Sequence, residues 1–87
     1  MDLKTFFYRA NKGEKREKRL TLAKMAKRTG LTPMTIRNCI IGEKRASYKT
    51  VIRIEEATSG LVKREDLDRT WFDYQAKKNS RPNQKGE

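Results

Sequence analysis

A chain of 87 residues has room for one compact domain and none for a cleft between two, so its function falls on a surface. Its 34% hydrophobic content allows only a thin core, its single cysteine excludes an internal disulfide, and no segment has the apolar run of a membrane span or signal peptide. The formal net charge of +11 lies wholly in residues 1–53, which hold 15 Lys and Arg against 4 Asp and Glu, whereas residues 54–87 hold 7 of each. An unbalanced positive segment in a small domain attracts phosphate polyanions, chiefly by releasing their condensed counterions. A lone thiol fits a reducing compartment, so the expected location is the cytoplasm, with no membrane partner.

The predicted elements are all helical, and no stretch alternates as a strand does. Leu3, Phe6, Phe7 and Ala10 fall at i, i+3, i+4 and i+7 and predict a first short helix, broken at residues 11–13. Residues 14–19 carry only charge, four basic and two acidic, and read as a loop or frayed helix end. Thr21 caps a second helix with Leu22, Met25, Ala26 and Thr29 inward and Lys24, Lys27 and Arg28 outward; Gly30 ends it in the left-handed conformation. Thr32 and Pro33, a capping hydroxyl and a proline at the first helical position, start a third helix at once. It buries Ile36 and Ile40 with Cys39 beside them and stops at Gly42, before a basic loop at residues 43–46. Ser47 caps a fourth helix with Val51, Ile54 and Ala57 inward, after which Leu61 is expected to pack back on the core. A short fifth turn is expected at residues 64–67, with Leu67, Trp71 and Tyr74 on one stripe. The expected fold is an all-α bundle of about five short helices over residues 1–74, followed by a disordered basic and polar tail at residues 75–87.

Within that bundle, residues 22–41 meet the needs of a helix-turn-helix: a small residue on the first helix (Ala26), a glycine in the turn (Gly30) and a branched apolar residue holding down the second helix (Ile36). Met25, Leu31 and Cys39 supply further apolar contacts. Catalysis is not expected, because the chain has no histidine, one cysteine that is expected in the core, and no cluster with metal-ligand spacing. No glycine-rich phosphate loop is present, so neither a metal nor another cofactor is predicted, and Cys39 reads as a small core hydrophobe rather than a redox switch.

The run Leu22-Ala23-Lys24-Met25-Ala26-Lys27-Arg28-Thr29-Gly30-Leu31-Thr32-Pro33-Met34-Thr35-Ile36-Arg37, with Gly42-Glu43-Lys44-Arg45 beyond it, resembles the Cro and lambda-repressor type of helix-turn-helix domain. The resemblance spans roughly residues 3–67, and Arg53-Ile54-Glu55-Glu56-Ala57-Thr58 with Arg64-Glu65-Asp66-Leu67 is similar to the end of Cro-like regulators and antitoxins. It implies a double-stranded DNA-binding regulator, most simply a repressor, acting as a homodimer on half-sites about 34 Å apart. By position, it makes Thr32, Met34, Thr35, Arg37 and Asn38 the exposed face of the recognition helix. Arg37 and Asn38 suit bidentate bonds to guanine and adenine, Met34 suits a thymine methyl, and Thr35 lies near the bases. Thr32, Lys44, Arg45 and Lys49 are expected at phosphates, as are Lys24 and Lys27 from the second helix and Lys15, Arg16, Lys18 and Arg19 from the charged segment. In one departure, many lambda-type repressors anchor DNA through a glutamine where this chain has Leu22.

Two other functions compete. An antitoxin or adaptor would bind a protein partner and repress its own operon, using the acidic segment at residues 55–73, net −3, and the aromatics Trp71, Phe72 and Tyr74. RNA binding is permitted by charge but disfavoured, because the aromatics are not interleaved with the basic residues as base stacking requires.

Overall fold

The computed structural model describes residues 1–79 and, among them, an all-α fold of five helices with no strand. In chain order these are α1 (Leu3–Asn11), a single 3-10 turn (Arg16–Lys18), α2 (Leu22–Thr29), α3 (Pro33–Ile41), α4 (Tyr48–Ala57) and α5 (Arg64–Asn79). No helix among the described residues is long and apolar enough to cross a membrane.

Four helices begin at a side chain that replaces a missing backbone acceptor. Asp2, Thr21, Thr32 and Ser47 accept the N–H of Thr5, Lys24, Thr35 and Thr50 respectively. Each such cap stabilises its helix by about 1 kcal/mol. α5 starts differently: Asp66, in its first turn, reaches back to accept the Lys63 N–H at 2.9 Å.

The core is Leu3, Leu20, Met25, Ala26, Ile36, Cys39, Val51, Ile54, Val62 and Leu67. α3 is the central helix, packed against α1, α2 and α5, while α4 closes on α2 and α5. α2 and α3 pack together most extensively and are joined by only three residues, Gly30, Leu31 and Thr32. In that turn the N–H groups of Gly30 and Leu31 both return to the Ala26 carbonyl. Gly30 has φ +72°, and a methyl group there would also strike the Arg53 guanidinium, whose Nη1 donates to the Thr29 carbonyl at 3.0 Å. Arg53 thus pins the α2–α3 turn from α4.

Several expectations need correction. Ala10 is exposed, so the inward stripe of α1 ends at Phe7. The charged segment contains one 3-10 turn, because Asn11 clamps the chain beyond it, donating to the Leu20 carbonyl and accepting the Leu20 N–H. Ile40 is only half-buried, and Leu20 is a core residue that the helical periodicity passed over. After α4 the inward residue is Val62, fully buried, while Leu61 is exposed, since positive φ at Ser59 and Gly60 shifts the register by one.

The largest correction concerns α5, a 16-residue helix rather than a short turn. Gln75–Asn79, expected in the tail, continue it; the rest of the expected tail, residues 80–87, lies outside the described residues. Its docking depends on Gly42. At φ +92°, Gly42 lets the end of α3 meet α5 so closely that an added Cβ would run into the Thr70 carbonyl and lie 3.0 Å from the Tyr74 Cβ. The glycine that ends α3 therefore also seats α5.

Candidate nucleic-acid interface

Residues 18–54 contain ten Lys and Arg and one acid, Glu43. The fold gathers most of this charge around α2, α3 and the start of α4. Lys27, Arg28, Lys44 and Lys49 are exposed and have no internal partner among the described residues. Their charge faces solvent.

On α3, the Thr32 hydroxyl accepts the Thr35 N–H at 3.2 Å and lies 2.9 Å from the Thr35 hydroxyl. Thr32 is therefore committed to its own cap, and Thr35 is half-buried. Met34, two residues into the helix, is 60% exposed. Arg37 lies one turn further along on the exposed face, with Asn38 half-buried beside it. Met34, Thr35 and Asn38 form one wall of a groove of about 300 Å³, and Lys44, Arg45 and Ser47 form the other. Cys39 also borders it, but its side chain is buried and desolvation pushes its thiol up to about 11, so it is protonated at neutral pH.

Besides Thr32, three more of the expected phosphate contacts are committed within the molecule. Lys24 donates from Nζ to the carbonyls of Glu17 and Arg19, both at 2.8 Å, and so ties the 3-10 turn to α2. Arg19 donates from Nε to the Glu14 carbonyl at 3.3 Å. Arg45 sits 3.5 Å from Asp68, with its guanidinium 5.6 Å from the Trp71 ring centre and 6.0 Å from that of Phe72. It belongs to an Arg–aromatic–carboxylate cluster that fastens the loop after α3 to α5. Arg16 is exposed in the 3-10 turn. Leu22 is half-buried against the core, so it offers no polar group at the start of α2.

The fold also brings together residues that sequence reasoning held apart. Phe7 and Tyr8 of α1 share a surface hollow of about 460 Å³ with Lys4, Lys12 and Arg19. Aromatic and basic groups are therefore neighbours there, contrary to the reading that kept them separate. The sequence reading also missed Arg53 and Glu43. The signal for Glu43 was its isolation as the one carboxylate in a long cationic stretch.

No family model, curated protein or solved structure gives a significant match to this chain. The assignment of function accordingly rests on the residues themselves.

Proposed function

We propose that this protein is a sequence-specific double-stranded DNA-binding regulator of the Cro and lambda-repressor type, acting as a homodimer on a two-fold symmetric operator in the cytoplasm of a bacterial or phage-infected cell. One observation carries the reading: the helix that follows a three-residue turn, α3, exposes Met34 and Arg37 within a stretch of ten cations and one acid. A helix of this size fits the major groove, where an arginine can bond guanine N7 and O6 together, and an asparagine adenine N6 and N7. In this reading Lys27, Arg28, Lys44 and Lys49 hold the phosphates, supplying affinity and register but no sequence information. Thr32 and Lys24 shape the helix ends instead. Repression is the simplest output, because a small domain seated on a promoter blocks access to it.

The test is selection of bound duplexes from a random pool at physiological salt. The expected result is an enriched site with two-fold symmetry and half-sites about 34 Å apart. Absence of enrichment, with binding to single strands instead, would overturn the reading and turn attention to the hollow beside Phe7 and Tyr8.

A second task is supported at α5. Phe72 is 56% exposed beside Trp71, on an acidic segment, and such a surface suits a protein partner, as in an antitoxin that also represses its own operon. If Phe72→Ser leaves the mass in solution and DNA binding unchanged, that surface serves neither a second copy nor cooperative assembly on DNA.

A further inference from the structure

We infer that Glu43 is a positioning residue for Arg37, holding its guanidinium toward the bases and away from the phosphate backbone; this rests on the reading of α3 as a base-reading helix. Glu43 is the one carboxylate in residues 18–54, and its Oε1 lies 3.5 Å from Arg37 Nη1. The two residues are on different elements, Arg37 on α3 and Glu43 beyond its end. Gly42, at φ +92°, turns the chain back so that they meet. That turn is fixed, because Gly42 is wedged against Thr70 of α5.

The geometry leaves the pair compatible with base reading. Both side chains are about half exposed, 48% for Arg37 and 47% for Glu43, so DNA can reach the arginine without displacing the acid. Arg37 approaches Glu43 through Nη1 at 3.5 Å. A guanidinium has five N–H donors, and guanine N7 and O6 take two of them. The remainder can stay on Glu43 while the base is read.

A swing of Arg37 to a phosphate would separate it from Glu43 and would bring the backbone close to a carboxylate. The pair therefore survives in the base-reading arrangement and is lost in the phosphate-gripping one. Its consequence is discrimination: binding to random sequence is weakened, whereas binding to the correct base gains from an arginine already oriented.

The experiment measures binding of the full chain to the duplex enriched by selection, to its single-base variants and to random-sequence duplex, for wild type, Glu43→Gln, Arg37→Ala and the double variant. The side chain of Glu43 is exposed, so Glu43→Gln is expected to fold; a melt checks this. With Glu43→Gln, affinity for random duplex should rise about threefold, and the preference at the one base pair read by Arg37 should fall by a similar factor. In the Arg37→Ala background, Glu43→Gln should change all duplexes by the same factor. An equal change on every duplex in the wild-type background would show Glu43 acting only as a repulsive charge and would overturn the inference while leaving the DNA-reading role intact. Failure of the wild type to prefer any duplex would overturn both.

Discussion

The stretch from α2 to the start of α4 and the helix α5 deal with charge in opposite ways. In the first, cations outnumber acids ten to one over residues 18–54, and five exposed ones, Lys18, Lys27, Arg28, Lys44 and Lys49, have no side-chain partner among the described residues. Across residues 55–73 the acids outnumber the bases, and three of them are occupied within the molecule: Glu55 accepts the Arg64 N–H at 3.2 Å, Asp66 accepts from the Met1 amine at 2.9 Å, and Asp68 lies 3.5 Å from Arg45 and 3.9 Å from Arg64. The acidic region spends its charge on holding the fold together. The basic region leaves much of its charge facing solvent. Arg45 is where they meet, anchored by α5 yet lining the groove beside α3.

The two regions touch at Gly42, where substitution has the largest effect. Gly42→Ala forces a side chain into a left-handed conformation and against Thr70 and Tyr74, and should cost about 2–5 kcal/mol, read as a fall in the chemical denaturation midpoint. A loss below that range would mean that α5 is seated by other contacts. Arg53→Ala removes the bond to the Thr29 carbonyl beneath the α2–α3 turn and should cost about 1–3 kcal/mol by the same measurement.

Asp68→Asn acts at the boundary between the two regions, where it frees Arg45. An ion pair at this depth contributes about 0–1 kcal/mol, so stability should change little. The released Arg45 should strengthen binding to duplexes of every sequence and steepen the salt dependence by about one unit of slope, measured by titration at several salt concentrations. Unchanged binding would place Arg45 outside the DNA contact.

The smallest effect is at low pH. Hydrogen bonding by Thr5, from its side chain and then its backbone N–H, holds the Asp2 carboxyl below its ordinary value of 3.8. For Asp66, burial works against the charge, but the Lys63 N–H and the N-terminal ammonium outweigh it and hold that carboxyl low as well. Both groups bind protons more weakly in the folded chain, so their stabilisation is complete above about pH 4 and is lost as pH falls through the lowered folded values. Melting temperature should therefore decline below about pH 4, and the decline should be shallower in Asp2→Ala.

Where local chemistry decides structure, the sequence was legible. Thr21, Thr32 with Pro33, and Ser47 start helices because a side-chain oxygen beside the first N–H groups needs no distant help, and Gly30 and Gly42 end them by adopting positive φ. α5 was not legible in the same way. Its last residues have little apolar content, and its docking depends on contacts between Thr70, Tyr74 and Gly42, about 30 positions apart in the chain. The same holds in the candidate site. Met34, Arg37 and Asn38 could be placed on one helix by spacing, but nothing local shows that Lys24 is committed to backbone carbonyls, that Arg45 lies over Trp71, or that Glu43 returns to Arg37.

The most direct measurement of the central claim compares Arg37→Ala with Lys44→Ala on the selected duplex and its single-base variants. Arg37→Ala should erase discrimination at one base pair, a loss of about 1–3 kcal/mol there, while preferences elsewhere persist. Lys44→Ala should weaken binding to all sequences alike and make the salt dependence shallower by about one unit. A uniform loss from both variants would contradict the claim that α3 reads bases.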